Sequence, residues 1–150
     1  MAAIRRFCSL PWREKLLLLK ILALLSIIRT ALAALPFKLV RRTLSRLACL
    51  KRRNGSGLRQ SDIERIIRFT VAAGRKLPAM GTCLTQALTV HMLLKRRGYE
   101  TQLRIGVTKD AGGRFTAHAW LERGGRILIG ELGGEHDRYT PFPALNGLDP

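Results

Sequence analysis

The chain has 150 residues, of which 47% are hydrophobic, and a formal net charge of +17. This apolar fraction is enough for a buried core and excludes an intrinsically disordered chain. The charge is uneven, because residues 1–60 hold 14 Lys/Arg and one acid, a net of +13, whereas residues 61–150 hold 13 Lys/Arg and nine acids, a net of +4. Aromatic residues make up only 6% and no recognition motif appears, so we expect no nucleic-acid partner.

The first predicted elements are basic, leucine-rich helices, which Pro36 should separate. Between residues 13 and 40 the chain is very apolar, but Lys20 and Arg29 interrupt it. A secretory signal or a membrane span is therefore a rival interpretation rather than the favoured one. We expect residues 13–40 to pack on the domain through a buried face, or to lie on a membrane surface.

The stretch Asn54-Gly55-Ser56-Gly57 predicts a linker, which divides the chain into a helical segment, 1–57, and a domain, 58–150. Ser61 and Glu64 have the spacing of a capping box, so we expect a helix to start there and run to about residue 73.

The next predicted helix begins near Cys83, after a loop, and Gly98 should end it. Apolar residues then alternate with polar ones, which predicts three strands, over 103–107, 115–122 and 126–131. The tail, rich in proline, is predicted to be loop-like. Helices followed by an antiparallel meander indicate an α+β fold.

The cysteines are Cys8, Cys49 and Cys83. An odd, widely spaced set does not suggest a disulfide framework, so we expect a reducing, cytoplasmic compartment, with membrane association left open. The sequence has no C-x-x-C pair and no H-x-x-x-H, so no metal site is expected.

A possible catalytic constellation follows from the hairpin at Gly124-Gly125. If these glycines are the two central turn residues, Trp120 faces Ile129 and His118 faces Glu131. A carboxylate beside a histidine can fix the imidazole tautomer and stabilise imidazolium. A register slip of one residue would remove this pairing. Two acids in the tail, Glu135 and Asp137, are the reserve candidates.

Cys83 stands at the start of a predicted helix, where backbone N–H groups and the helix dipole favour a thiolate and can hold an oxyanion. A cysteine, a histidine and an orienting carboxylate are what nucleophilic acyl transfer requires. The simpler alternatives are a buried packing cysteine at 83 and a structural histidine at 118. Trp120 shares the face of His118, so it either lines a substrate groove or is a core aromatic.

The residues Cys83-Leu84-x-x-Ala87-Leu88, followed by Ala117-His118-Ala119-Trp120, resemble the lasso-peptide leader peptidases. The resemblance extends from about Leu77 to Glu131. It implies a transglutaminase-like, papain-like cysteine protease core with a Cys–His–acid triad. Cys83 and His118 match its first two members. The family often has Asp about where Gly130 stands, and the nearest acid here is Glu131.

The resemblance also implies partners. Residues 1–60 show no strands of a leader-recognition domain, so the chain resembles the stand-alone form of the peptidase. That form acts on a leader–core precursor peptide with a separate leader-recognition protein, ahead of a macrolactam-forming cyclase. The chemistry needs no cofactor. The alternatives are another acyl transferase or amidase on this scaffold, and a non-catalytic adaptor that binds peptide or membrane.

Overall fold

The computed structural model describes residues 11–50, 58–77, 79, 81–109, 112–131 and 138–142. Within them lie four helices and four strands. The helices are α1 (Trp12–Ala34), α2 (Phe37–Leu50), α3 (Gln60–Lys76) and α4 (Cys83–Lys95). The strands are β1 (Gln102–Lys109), β2 (Phe115–Arg123), β3 (Arg126–Ile129) and β4 (Thr140–Pro141). Helices on a small antiparallel sheet confirm the predicted α+β class.

Pro36 separates α1 from α2, as predicted. Leu35 ends α1 with an extended backbone, φ −130° and ψ 150°. A residue that precedes proline is driven out of the helical region by contact with the proline ring. The chain therefore turns at this point, and a second, basic helix begins at Phe37.

The capping box predicted for α3 is wrong. The helix begins at Gln60, and its N-cap residue, Arg59, lies two residues before Ser61 and makes no side-chain capping bond. Ser61 therefore lies inside the helix. Glu64 instead accepts a hydrogen bond from Gln60 Nε2, 3.0 Å away and one helical turn back. Such i,i+4 pairs stabilise an exposed helical turn modestly.

The helix α4 is the centre of the molecule, and it contacts α1, α2, α3 and the strands β1 and β2. It is apolar around most of its circumference, which is typical of a fully buried helix. One continuous core joins the helices to the sheet; its largest members are Ile21, Leu25, Ile28, Ile63, Ile66, Leu88, Leu93, Leu94, Leu103, Leu121 and Ile129. The predicted linker at 54–57 lies outside the described residues, and the division of the chain at residue 57 stays a prediction.

The sheet has the strand order β3-β2-β1-β4, and all its pairings are antiparallel. Its fourth strand was missed, because the tail was predicted to be loop-like. Thr140 and Pro141 pair with Val107 and Gly106 at the edge of β1. Two residues, one of them proline, are too few to show alternation, and proline is tolerated only on an edge strand.

The hairpin between β2 and β3 confirms the predicted turn but not the predicted register. Gly124 and Gly125 have φ values of 55° and 77°, as a two-residue primed turn requires. Glu122 faces Ile127 as expected, but a β-bulge follows, and Ile129 faces Leu121 rather than Trp120. A bulge inserts one extra residue into one strand and shifts every later pair. The predicted pairing of His118 with residue 131 is therefore wrong.

Candidate functional site

The loop before α4 is held close to α3 by two glycines. A Cβ atom at Gly81 would come within 2.3 Å of the Cα of Gly74, so the two backbones touch at this point. Gln86 of α4 reaches back and donates a hydrogen bond to the carbonyl of Gly81. The helix α3, expected to end at about residue 73, continues past Gly74 to Lys76. Gly74 instead lets the backbone at Gly81, just before α4, pack directly against α3.

Cys83 is the first residue of α4, as predicted, and its thiol is free and half-buried. Thr82 caps the helix: its hydroxyl oxygen accepts from the N–H of Thr85 at 3.4 Å, and its carbonyl accepts from the N–H of Gln86 at 2.9 Å. The N–H groups of Cys83 and Leu84 are those that the start of a helix leaves without an intrahelical acceptor. The thiol therefore stands beside the positive end of the helix dipole.

His118 lies on β2, opposite Gly106 of β1, and its ring is half-buried. Its Nε2 atom is 2.7 Å from the carbonyl oxygen of Gly130. A carbonyl oxygen can only accept, so Nε2 carries the hydrogen of this bond. In the neutral imidazole the lone pair is then on Nδ1, which is the atom able to take a proton.

Gly130 follows directly after β3, and its conformation explains why glycine stands there. Its φ is 92°, a region that other residues rarely adopt. A Cβ atom at Gly130 would lie 2.8 Å from the carbonyl oxygen of Ala119 and 2.9 Å from the Cβ of Trp120. An aspartate, which the resemblance leads one to expect near this position, would not fit this backbone. The main-chain carbonyl of Gly130 accepts the hydrogen bond from His118 Nε2.

The acids predicted for the third catalytic position have different outcomes. Glu131 is exposed, and its predicted position opposite His118 is lost through the β-bulge. Glu135 and Asp137 lie outside the described residues. The acceptor that sequence reasoning missed is the carbonyl of Gly130. Its one signal was a glycine directly after an apolar strand, which is typical of a close backbone approach.

Trp120 supports the imidazole from one side. Its ring stacks on that of His118, with centroids 6.2 Å apart and an interplanar angle of 15°. Trp120 is only 6% exposed, and its Nε1 donates to Glu122, which also accepts from Arg104 at 2.7 Å. Little of the ring surface is left to offer a substrate. Its predicted role in substrate binding stays a prediction.

Two further residues complete the surroundings of the imidazole. Tyr139, in the tail just before β4, places its ring 5.6 Å from that of His118 at a tilt of 49°. Gly106 of β1 leaves room for Trp120, because a Cβ there would lie 3.0 Å from two atoms of the indole ring. Tyr139 was not predicted from the sequence, because the tail was predicted to be a loop, and a loop gives no strand register that would place Tyr139 beside His118.

The alternation of side chains along β2 decides which face each residue occupies. His118 and Trp120 lie on one face, and Ala119 and Leu121 on the other. Leu121 belongs to the core that α4 shares, and α4 makes more contact with β2 than with any other strand. Cys83 and His118 are carried by elements that pack together, but the imidazole projects from the face of β2 opposite to the core that α4 shares. The predicted contact between the sulfur and the imidazole stays a prediction.

Within the described residues, His, Cys, Asp and Glu side chains form no group of three able to hold a metal ion. The arrangement that the structure does contain is a half-buried thiol at a helix start, and an imidazole oriented by a backbone carbonyl and an aromatic ring. Groups of these types can carry out nucleophilic acyl transfer when they meet.

Comparison with known proteins gives one family. The family model described as "Transglutaminase-like superfamily" matches residues 31–144, about three quarters of the chain. The match covers α2, α3, α4 and all four strands, and therefore both Cys83 and His118. No curated protein and no solved structure matches the chain.

Proposed function

Because the chain belongs to the transglutaminase-like superfamily, we propose that it is a cysteine peptidase that removes the leader from a ribosomally made lasso-peptide precursor. Cys83 is the nucleophile and His118 the base. The observation that carries the proposal is the His118 imidazole of β2, oriented through Nε2 by the Gly130 carbonyl. The motif resemblance around these two residues supplies the substrate class.

In the first half of the reaction, Nδ1 of His118 accepts the thiol proton and the sulfur attacks the carbonyl carbon that joins leader to core. The N–H groups of Cys83 and Leu84 stabilise the oxyanion of the tetrahedral intermediate. The C–N bond then breaks, and the imidazolium Nδ1–H protonates the amine of the departing core. The leader remains on Cys83 as a thioester.

In the second half, water attacks the thioester and gives a proton to Nδ1 of His118. The C–S bond breaks, the proton returns to the sulfur, and the leader leaves with a free carboxylate. The released core has a free α-amine, which is what a macrolactam-forming cyclase consumes. A separate leader-recognition protein presents the precursor.

Throughout the cycle, Nε2–H of His118 stays bonded to the Gly130 carbonyl. This bond plays the part usually given to a carboxylate, since it keeps the hydrogen on Nε2 and the lone pair on Nδ1. The stacked ring of Trp120 restricts rotation of the imidazole. Glu131, the acid first expected here, is not needed for this step.

The direct test is a cleavage assay with precursor peptide and recognition protein, followed by mass spectrometry. Cys83→Ala should release no leader, whereas Cys49→Ala, which removes another thiol, should cleave normally. Normal cleavage by Cys83→Ala would refute the proposal. Adding a primary amine separates peptidase from acyl transferase, because a transferase yields a leader amide instead of a free carboxylate.

Contact between sulfur and imidazole has its own test. A bifunctional haloketone first alkylates a reactive thiol and then a nitrogen within reach. If Cys83 meets His118, digestion should give one cross-linked pair of peptides that contains both residues. With His118→Gln, only the singly alkylated peptide should appear. A wild-type protein alkylated at Cys83 but never cross-linked would contradict the proposed pair.

A further inference from the structure

The outer face of α1 carries an apolar stripe along most of its length. Trp12, Leu16, Leu19 and Ile27 are 72%, 49%, 53% and 62% exposed, and the exposed Ala23 lies between them. Their spacing of three or four residues places them on one side of the helix. The stripe amounts to a continuous exposed hydrophobic surface, which soluble proteins seldom leave uncovered.

The opposite face of α1 belongs to the domain core. Ile21, Leu25 and Ile28 have no exposed surface and pack in the same core as α3 and α4. Glu14, the single acid of this helix, is 3.4 Å from Arg65 of α3. The helix is therefore fixed to the domain along its inner side, and only its outer side is open to a partner.

Cations border the stripe on both sides. At about 100° per residue, Arg13 and Lys20 project to one side of the stripe, and Lys15 and Arg29 to the other. Arg13, Lys20 and Arg29 are exposed, and Lys15 is half-buried. An apolar strip between two rows of long cationic side chains suits an interface where hydrocarbon meets anionic head groups.

We propose that α1 lies flat on an anionic membrane surface, with the stripe in the boundary between head groups and acyl chains. Charge complementarity carries the choice of partner, since α1 itself has four cations against one acid, Glu14, within a segment, residues 1–60, of net charge +13. The inference does not depend on the proposed peptidase activity.

Crossing the membrane is the competing arrangement. By length and composition α1 is the one helix among the described residues that could span a bilayer, and only 17% of its apolar window is buried. A spanning α1 would have to leave Ile21, Leu25 and Ile28 exposed to lipid and abandon the core that they share with α4. Lying flat keeps that core intact and uses the exposed face.

The test measures binding of the full chain to vesicles of phosphatidylcholine, with and without anionic phosphatidylglycerol. Binding should require the anionic lipid and weaken with salt. It should also shift the emission of Trp12 to shorter wavelength, a change absent from Trp12→Phe. No binding to anionic vesicles, or equal binding to both kinds, would overturn the inference.

Matched variants locate the contact. The double variant Leu19→Gln/Ile27→Gln should bind at least about tenfold more weakly, whereas Phe115→Gln, which changes a residue 73% exposed on β2, should bind as the parent does. Arg29→Glu should weaken binding about tenfold, and Arg126→Glu should not. If each control variant loses as much vesicle binding as the variant it is matched with, the stripe is not the membrane contact.

Two further outcomes also count against the inference. Protein that stays with the vesicles after an alkaline carbonate wash would be inserted across the bilayer rather than lying on it. A double variant that keeps its vesicle binding but loses a protein partner would assign the stripe to protein docking. Circular dichroism spectra and melting curves should match for all variants, because every changed side chain is exposed.

Discussion

Gly130 links the fold to the proposed chemistry, so its replacement by alanine makes the sharpest prediction. Two separate costs arise. The backbone has φ 92°, which for a residue with a Cβ costs about 1–3 kcal/mol. The new Cβ would also lie 2.8 Å from the Ala119 carbonyl oxygen and 2.9 Å from Trp120 Cβ. Overpacking of this kind adds about 1–3 kcal/mol.

Gly130→Ala should therefore lower the free energy of unfolding by about 2–6 kcal/mol. For a chain of this size, this corresponds to a melting temperature lower by about 4–24 °C. Gly113→Ala is the matched control. Its φ is 78°, but nothing lies within 4 Å of the Cβ position, so only the backbone cost applies.

Urea unfolding followed by circular dichroism, with a parallel thermal melt, measures both variants. The difference between them isolates the steric part of the cost. Equal destabilisation would refute the close approach of Gly130 to Trp120. Where the Gly130→Ala protein still folds, its cleavage rate should fall further than that of Gly113→Ala, because the carbonyl that orients His118 has moved.

Two other predictions concern the core and the acid. Ile28→Ala should lower the free energy of unfolding by about 2–5 kcal/mol, because the Ile28 side chain has no exposed surface. Ile27 is 62% exposed, so Ile27→Ala should change it by no more than about 0.5 kcal/mol. Equal losses in urea unfolding would contradict the assigned faces of α1. Glu131→Gln should change the cleavage rate by less than about threefold, whereas His118→Gln should lower it by about 10²–10⁴. A large loss in Glu131→Gln would restore the carboxylate as the orienting group.

Element types could be predicted from the sequence because periodicity is strong in the long segments. The apolar run broken at Pro36 gave two helices, and the alternation after Gly98 gave strands. Element ends were less accurate. Ser61 was expected to cap α3, but the observed N-cap is Arg59, two residues earlier, and helix ends commonly differ from an assignment by one or two residues.

The register of the site hairpin could not be predicted. The sequence Ile127-Leu128-Ile129 is apolar throughout, so it has no alternation to reveal that an extra residue lies between two pairings. The turn fixed the first two pairs correctly, and the bulge after Glu122 then shifted the rest. The acceptor for His118 changed from a side chain to a main-chain carbonyl, and no side-chain pattern reports a carbonyl.

Replacing a carboxylate by a carbonyl changes the electrostatics of the proposed pair. A carboxylate both orients the imidazole and stabilises its charged form, whereas a carbonyl dipole mainly orients it. For a serine nucleophile, an imidazolium oriented by a carbonyl alone would be costly, because no stable anion would balance its charge. In a thiolate–imidazolium pair the sulfur itself is the counter-charge, and the sulfur of Cys83 stands beside the positive end of the helix dipole. A Cys83–His118 pair can therefore operate with Gly130 as its third member, which is why we expect the neutral glutamine at position 131 to be tolerated.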